Sequence, residues 1–303
     1  MPEFRLEDIP SLKGKMAIVT GANSGLGFET SKVLAGKGML VIMACRDLRK
    51  AKDARKKITS EHPYSDLEIM QLNLSDLSSV REFCNIFLSR YDHLDLLINN
   101  AGVMYPPYSL TKDGFESQMG VNYYSHFLLT GLLIKTITGT PGSRVISLSS
   151  NAHKVGGINF KDINWENGYS RIMAYTQSKL ACLIFALELD RRIRESGLNT
   201  ISVAAHPGLS LTELMRYMPH WLMIILKPLT SLLSHEPDKA SLPVLYAALA
   251  DDVTGGEYFG PQGFGEWKGK PGRAKRSNNS SDIVIANRLW DISEKATGIK
   301  FQL

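Results

Sequence analysis

The chain has 303 residues, 44% of them hydrophobic and 21% charged, enough apolar material for one large globular domain or two smaller ones. Its net charge of +5 is mild and the basic residues are dispersed, which argues against nucleic acid as a partner. The three cysteines are far apart and lack metal spacing, so they predict neither a disulfide framework nor a metal site and fit a reducing compartment.

The amino-terminal residues 1–13 lack the apolar core of a signal peptide, and we interpret them as an N-terminal arm. No uncharged apolar run reaches the ~18 residues that a transmembrane span requires. The nearest, residues 221–226, is stopped by Lys227 and Pro228. We therefore expect a cytoplasmic protein in which residues 14–303 form a single domain.

Short apolar runs rich in β-formers predict six strands, at residues 16–19, 39–44, 67–72, 94–98, 143–148 and 199–204. Helix-length stretches lie between or after them, at residues 26–36, 48–61, 78–91, 115–136 and 173–196. Continuous apolar strands alternating with helices are typical of a parallel sheet covered on both faces. The sequence thus predicts an α/β fold with a single doubly wound Rossmann-type domain, helices covering both faces of its parallel sheet.

The stretch TGANSGLG, residues 20–27, places three glycines between the first predicted strand and the first predicted helix. A strand that turns at once into a helix leaves the first helical N–H groups unpaired and the positive end of the helix dipole exposed. Glycines let an anion approach those groups, so the turn can seat a phosphate. A glycine-rich surface turn is the alternative for this pattern alone, but its position after the first strand favours the phosphate.

The end of the second strand is where dinucleotide sites discriminate between cofactors. A carboxylate there binds the ribose hydroxyls, whereas an arginine accommodates a 2′-phosphate. Cys45 stands where the carboxylate is expected and Arg46 follows it, which favours NADP(H) over NAD(H). The alternative is that Arg46 is only a surface residue at the strand end. The neighbouring Asp47 is a carboxylate and so weakens the preference for NADP(H).

Tyr175 and Lys179 are four residues apart in the last of these predicted helices. At this spacing the phenol and the ammonium share a helix face and can point into one cleft. A free tyrosine has a pKa near ~10, and a neighbouring positive charge lowers that pKa toward a range useful for proton transfer. The pair is weak evidence alone, but the strand ending in Ser149 and Ser150 and the NNAG segment at residues 99–102 belong at the same edge of the sheet.

Five motifs therefore occur in order between about residues 14 and 212: TGANSGLG, NNAG, the serine-ending strand, the Tyr175–Lys179 pair, and HPG at residues 206–208. In this order they resemble the short-chain dehydrogenase/reductase family. Finer features are similar to its retinol dehydrogenase-like branch and to protochlorophyllide reductases. These are ACRD at 44–47, DGFE at 113–116, GVN at 120–122 with HFLL at 126–129, and SSNAH at 149–153.

The resemblance implies a nicotinamide cofactor site. Gly21, Gly25 and Gly27 would form the pyrophosphate turn, and Arg46 would bind the 2′-phosphate of NADP(H). The other residues implied to contact the cofactor are Asn23, Ser24, Leu26, Asn73, Leu74, Asn100, Ala101, Gly102, Tyr175, Lys179, Pro207, Gly208, Ser210 and Thr212.

The resemblance also implies a catalytic set. Tyr175 would donate the proton in reduction, while Lys179 would hold the ribose hydroxyls and tune Tyr175. Ser150 would hydrogen-bond the substrate oxygen, and Asn122 would support a water-mediated proton relay. Ser150 is preferred over Ser149 because the family's serine directly precedes an Asn-Ala-His-type segment.

The chain departs from the branch at two positions. Asn73 replaces an aspartate, although its carbonyl oxygen can still accept from the adenine amine. Ser125 replaces a small glycine, which we expect to alter helix packing slightly. Neither change falls on the implied catalytic set.

Residues 209–235 are the most hydrophobic part of the chain and are rich in methionine. In the family this segment closes over the substrate, and an apolar lid indicates a small lipophilic substrate. A helix that contacts a membrane surface or a second subunit of a homo-oligomer is the alternative. Residues 281–303 predict a C-terminal amphipathic helix and tail.

These observations predict an NADP(H)-dependent oxidoreductase that moves a hydride between nicotinamide and the carbonyl or alcohol carbon of a retinoid-, steroid- or ketone-like substrate. An NADP(H)-binding sensor without turnover is the alternative from another class, and double-bond reduction is a third. The sequence contains neither a G-x-S-x-G elbow, which would indicate a hydrolase, nor an H-E-x-x-H motif, which would indicate a metal site. We interpret His126, His153 and His206 as structural.

Overall fold

The computed structural model describes residues 4–208 and 237–303. Within these ranges the strands are β1 (Met16–Thr20), β2 (Leu40–Cys45), β3 (Leu67–Gln71), β4 (Leu96–Asn99), β5 (Arg144–Leu148), β6 (Ile201–Ala205), β7 (Tyr258–Pro261) and β8 (Pro271–Arg273). They form one sheet in the order β3-β2-β1-β4-β5-β6-β7-β8. Neighbouring strands are parallel from β3 through β7, and β8 runs antiparallel to β7.

The α-helices of the described residues are α1 (Gly25–Gly36), α2 (Leu48–Glu61), α3 (Leu77–Leu88), α4 (Ser117–Met119), α5 (Ser125–Thr138), α6 (Arg171–Glu195), α7 (Pro237–Ala240), α8 (Leu242–Leu249) and α9 (Ile283–Thr297). A π-helical turn, Gly120–Tyr124, joins α4 to α5. Short 3₁₀ turns lie at Leu6–Asp8, Asn151–Lys154, Phe264–Glu266 and Asn278–Ser281.

The sheet separates two hydrophobic cores, one on each face. Helices α3, α5, α6 and α9 contribute to the first core, which includes Phe83, Phe127 and Leu180. Helices α1, α2 and α8 contribute to the second, which includes Leu34 and Val244. Every residue of β1 is buried because helices cover the strand from both sides. The predicted doubly wound fold is therefore confirmed.

The predicted strands coincide with β1–β6, but the sequence analysis missed β7 and β8. The helix expected over residues 115–136 is also interrupted, since the π-helical turn separates α4 from α5. The C-terminal helix α9 is capped at its start by the Asp282 carboxylate and at its end by Gly298 in the left-handed conformation. Its Trp290 packs edge-on against Phe127, so α9 covers the domain itself.

Two further features bear on the sequence predictions. Residues 209–235, including Ser210 and Thr212, lie outside the described residues, so the lid prediction stays a prediction. By length and composition α6 could cross a membrane, yet 83% of its apolar window is buried inside the fold. It is therefore the central helix of the first core.

Candidate active site

The glycine turn follows β1 at the carboxyl edge of the sheet. Gly21 and Gly25 have positive φ angles of 67° and 53°. A Cβ on Gly27 would lie 2.4 Å from the Gly21 carbonyl oxygen, so only glycine fits there. Asn23 and Ser24 are half-buried within the turn, while Leu26 is buried.

The first turn of α1 has an unusual cap. Ser24 is its N-cap residue, but within the described chain its side chain makes no capping hydrogen bond. In α2, α3 and α9 an aspartate at this position accepts from the first-turn amides. The amides of α1 are thus left for an anionic ligand, as a dinucleotide pyrophosphate requires.

The end of β2 lies against this turn. The Cys45 sulfur is hydrogen-bonded by the amides of Ala22 and Asn23, and burial raises the pKa of the thiol to about 12. Arg46 follows as an exposed residue. Asp47 instead caps α2, because one carboxylate oxygen accepts from two first-turn amides at 3.0 and 3.1 Å.

Thr20 connects the glycine turn to the segment after β4. Its hydroxyl oxygen accepts from the amides of Asn100 and Ala101, each at 2.9 Å. It also lies 2.9 Å from His126 Nε2. Burial lowers the His126 pKa to about 4, and Nδ1 of the neutral ring donates to the Asn122 carbonyl at 2.9 Å, which leaves Nε2 to accept from Thr20.

The segment after β3 carries Asn73 and Leu74. The Asn73 side-chain oxygen accepts from the Ser75 amide at 3.2 Å, which leaves this oxygen a second lone pair. The Ser125 hydroxyl donates to the Leu74 carbonyl at 2.6 Å. The departure from glycine at position 125 therefore ties α5 to this segment rather than only changing helix packing.

Asn122 lies in the π-helical turn, a feature often found at functional sites. Its side chain pairs with both backbone groups of Val103, accepting at 2.8 Å and donating at 3.0 Å. It also donates to the Ser178 hydroxyl at 2.9 Å. The Asn122 carbonyl accepts from the Cys182 thiol at 3.2 Å, so this residue joins the β4 segment to α6.

The carboxyl end of β5 and the N-terminal part of α6 bring together Ser150, Tyr175 and Lys179. The Tyr175 side chain is buried, and the nearby Ser150 hydroxyl acts on its phenol in the direction that lowers the pKa. Ser150 itself accepts from the Ala152 amide at 3.2 Å. Lys179 Nζ lies 5.9 Å from the centroid of the Tyr175 ring and donates to the Leu148 carbonyl at 3.0 Å.

Burial sets the protonation of this group. It raises the pKa of Tyr175 above its ordinary 10.0, and the Ser150 hydroxyl opposes the rise only in part. It also lowers the pKa of Lys179. The sequence analysis expected a neighbouring positive charge to lower the tyrosine pKa, whereas here desolvation of the buried phenol is the largest effect and raises it. Tyr175 thus carries its proton at neutral pH.

The two serines after β5 point to different partners. Ser149 is buried and donates its hydroxyl to the Lys179 carbonyl at 2.8 Å, so it holds the helix backbone. The Ser150 hydroxyl instead lies near the Tyr175 phenol, whose pKa it acts to lower. The geometry therefore favours Ser150 as the residue that faces a substrate oxygen.

Pro207 and Gly208 follow β6 at the same edge, and Gly208 has a positive φ of 77°. Its amide donates to His206 Nδ1 at 3.2 Å. Ser210 and Thr212 fall outside the residues described. Over residues 4–208 and 237–303, no group of three or more histidine, cysteine or acidic side chains could hold a metal ion.

Sequence reasoning missed four residues that shape this site: Thr20, Val103, Tyr105 and Cys182. The Tyr105 ring stands edge-on to the Tyr175 ring with centroids 5.2 Å apart, and its backbone has a positive φ of 59°. No local pattern marks Tyr105 or Val103. Cys182 had a usable signal, since it lies one helical turn beyond Lys179 on the same face of α6.

Comparison with known proteins identifies the family. The model of the short chain dehydrogenase family matches residues 15–222. The chain is 41% identical to retinol dehydrogenase 11 of Mus musculus over 95% of this chain and 88% of the relative. It is 39% identical to retinol dehydrogenase 13 of Homo sapiens over 96% of this chain and 86% of the relative. The chain belongs to the short-chain dehydrogenase family.

This short-chain dehydrogenase also matches a crystal structure of an uncharacterized protein from Mycobacterium Paratuberculosis. The two chains are 38% identical, superpose with a TM-score of 0.83 and cover each other fully, at 100% each. The predicted retinol dehydrogenase-like branch is confirmed by the curated relatives. The protein is accordingly an oxidoreductase of a family that binds a nicotinamide cofactor.

Proposed function

We propose that this short-chain dehydrogenase transfers a hydride between NADP(H) and the carbonyl or alcohol carbon of a lipophilic substrate of the retinoid, steroid or ketone type. The observation that carries the proposal is the placement of Ser150, the buried Tyr175 and Lys179 together, at the edge of the sheet where the glycine turn lies. When bound, the nicotinamide supplies or accepts the hydride.

In the direction of reduction, Tyr175 acts as the acid. Its buried phenol holds a proton at neutral pH and can give it to the oxygen of the carbonyl as negative charge develops there. The Ser150 hydroxyl donates a second hydrogen bond to the same oxygen. Because the site is shielded from water, these two donors stabilise the charge more strongly than they would in solvent.

Reprotonation of Tyr175 then requires a path for protons, and Lys179 and Asn122 supply polar groups along it. An internal cavity of about 10 Å³, close to the space that one water molecule needs, is lined by Asn99, Asn122, Ser147 and Cys182 among others. The Asn99 side-chain oxygen and the Ser147 hydroxyl are buried there without a hydrogen-bond partner among the described residues. Water at this position would meet these two groups and extend the relay beside Asn122.

The residues present fit a dinucleotide. The uncapped turn of α1 would hold the pyrophosphate, and Arg46 would hold a 2′-phosphate. Asp47, the nearest carboxylate in sequence, uses one oxygen to cap α2, which supports assigning the ribose phosphate to Arg46. The remaining contacts would come from the segments after β3, β4 and β6: Asn73, Leu74, Asn100, Ala101, Gly102, Pro207 and Gly208.

The names of the relatives favour a lipophilic substrate, since two of them are retinol dehydrogenases that resemble this chain over almost its whole length. Within the described residues, the half-buried Tyr105 ring beside Tyr175 gives the reacting position an apolar wall. Both features favour an apolar carbonyl compound over a charged one.

The proposal is tested by following NADPH oxidation, with NADH in parallel, across aldehydes, ketones and quinones that include retinal. Tyr175→Phe removes the acid, and we expect turnover to fall by about 10²-fold or more while NADPH affinity is kept. Near-normal turnover of this variant would show the mechanism to be wrong. Tight NADPH binding by the wild-type protein without turnover of any compound would favour the sensor alternative.

A further inference from the structure

We propose that Glu266 is a positioning residue. Through Lys154 and His206 it fixes the segment after Ser150 relative to the turn at Gly208. Glu266 lies in the 3₁₀ turn Phe264–Glu266, between β7 and β8, and no sequence motif points to it. The proposal rests on the proposed function, because it concerns how the Ser150 segment, beside the proton donor, is aligned with the Gly208 turn, which would flank the cofactor.

The first anchor fixes the segment after Ser150. Lys154 Nζ donates to a Glu266 carboxylate oxygen at 2.6 Å. The Asn151 side-chain amide donates to the carbonyls of Gly265 and Glu266 at 3.1 and 3.2 Å. Asn151 and Lys154 bound the 3₁₀ turn that Ser150 caps, so these bonds restrain the backbone that carries the serine.

The second anchor acts through His206, which is fully buried. Burial lowers the pKa of this imidazole, so the ring is neutral at pH 7. Because the Gly208 amide donates to Nδ1 at 3.2 Å, the ring carries its proton on Nε2. That nitrogen lies 3.6 Å from the Glu266 carboxylate and has no hydrogen-bond partner among the described residues, so the carboxylate acts on it through its charge. The carboxylate therefore favours the ring tautomer that receives the Gly208 amide.

The surroundings leave the His206 ring and the Gly208 turn little freedom. A Cβ on Gly260 would lie 1.9 Å from His206 Nε2, so the ring packs directly on the β7 backbone. A Cβ on Gly208 would lie 2.3 Å from the Trp267 carbonyl oxygen, the residue next to Glu266. A shift of the segment that carries Glu266 and Trp267 would therefore be transmitted to the Gly208 turn.

The backbone of Glu266 is itself strained, with a positive φ of 56° next to Gly265 at 60°. Such a conformation is uncommon for a residue with a side chain and persists where surrounding contacts over-determine it. Here the carboxylate supplies those contacts, since it also accepts from the Lys275 amide at 2.8 Å. One side chain thus joins the ends of β5 and β6 to the β7–β8 connection.

The test replaces Glu266 by glutamine, which keeps the shape of the side chain and removes its charge. We expect kcat with the best carbonyl substrate to fall about 10-fold or more, since small displacements of reacting groups are costly. The Kd for NADPH should change by a smaller factor than kcat, because the proposed phosphate contacts at β1 and β2 lie away from the Gly208 turn. Amide hydrogen exchange should become faster in residues 150–155 and 206–208.

Glu294→Gln is the matched control. Glu294 lies on α9 and pairs with Lys300 at 2.7 Å, and its side chain is 11% exposed against 13% for Glu266. We expect this control to leave kcat and exchange in both segments unchanged. If Glu266→Gln behaved like the control, or lowered only the melting temperature, the positioning role would be refuted.

A second variant covers the case in which Glu266→Gln does not fold. Lys154→Gln removes only the first anchor, so exchange should rise in residues 150–155 and stay unchanged in residues 206–208. Equal changes in both segments, or in neither, would contradict the two-anchor arrangement. Exchange is measured without substrate, so it decides the positioning role even if the wild-type protein reduces none of the carbonyl compounds and the proposed function fails.

Discussion

At the scale of single residues, the proposed preference for NADP(H) depends on which groups the side chains at the end of β2 already contact. Arg46 and Asp47 are adjacent at the end of β2, and the sequence alone leaves both available to a ribose. In the structure one Asp47 carboxylate oxygen caps α2 and Arg46 is exposed, and we therefore assign the proposed 2′-phosphate contact to Arg46. Helix capping and ribose binding use the same residue type, so only the three-dimensional contacts separate them.

We expect Arg46→Ala to raise the Kd for NADPH by about 10–100-fold, the value of a hydrogen-bonded contact to a charged phosphate. The Kd for NADH should stay nearly unchanged, since NADH has no 2′-phosphate. Arg49→Ala, in the first turn of α2, removes the same charge nearby and serves as the control. Fluorescence titration with both cofactors gives the values, and equal losses for NADPH and NADH would contradict the assignment.

At the scale of elements, α1 shows how a glycine can be required inside a helix. Replacing a helical glycine by alanine usually stabilises a helix by up to about 1 kcal/mol. In α1 the added methyl group of Gly27→Ala would lie 2.4 Å from the Gly21 carbonyl oxygen and 2.5 Å from the Asn100 side-chain amide. The turn and the segment after β4 would have to move apart.

Gly27→Ala should therefore lower the melting temperature and weaken NADPH binding by about 10-fold or more, since the first-turn amides lose their alignment. Gly157→Ala is the control, because the nearest atom to its added Cβ lies 3.9 Å away. Calorimetry and cofactor titration of both variants measure the two effects. A Gly27→Ala protein with unchanged NADPH affinity would show that the turn does not hold the cofactor.

Strands β1–β6 could be predicted because each is an apolar run between helix-length segments. Strand β8, by contrast, is only Pro271–Arg273, and its pairing with β7 depends on tertiary contacts that no local pattern encodes. The π-helical turn Gly120–Tyr124 was also missed, since its buried residues continue the apolar pattern of a regular helix. Local periodicity therefore predicts the elements and misses interruptions that serve the site.

At the scale of the whole molecule, the sequence predicted which strand ends meet but not which distant residues support them. Tyr175, Lys179 and Ser150 follow from motifs and from the geometry of a parallel sheet. The contact between Lys154 and Glu266 joins residues 112 positions apart, and nothing in either local sequence anticipates it. Cytoplasmic localisation, the oligomeric state and the single-domain boundaries stay predictions.

The pH dependence of stability should reflect the buried histidines. Burial lowers the pKa of His126 and of His153 to about 4, below the ordinary 6.5, so both are neutral in the folded protein. Unfolding lets them bind protons, and the stability present above pH 6.5 is lost as the pH falls toward 4. Each histidine should lower the free energy of unfolding by up to about 1.4 kcal/mol per pH unit in this window.

Urea denaturation at pH 7, 6 and 5 measures this dependence. His126→Gln removes one of the titrating groups, so the free energy of unfolding of this variant should fall less steeply with pH than that of the wild-type protein. An unfolding free energy that is constant from pH 7 to pH 5 would contradict the buried, neutral state of these rings.

The reactivity of the three buried thiols can be used to measure how often the structure around each of them opens. Cys45, Cys84 and Cys182 are free and buried, and burial raises the pKa of Cys45 and of Cys84 to about 12. A disulfide reagent in excess should therefore label the native protein only as fast as the structure opens. Because Cys45 lies beneath the glycine turn, NADPH should slow its labelling more than that of Cys84 in α3. Equal protection of both thiols would indicate that the cofactor stabilises the fold globally, whereas selective protection would report the closing of the turn itself.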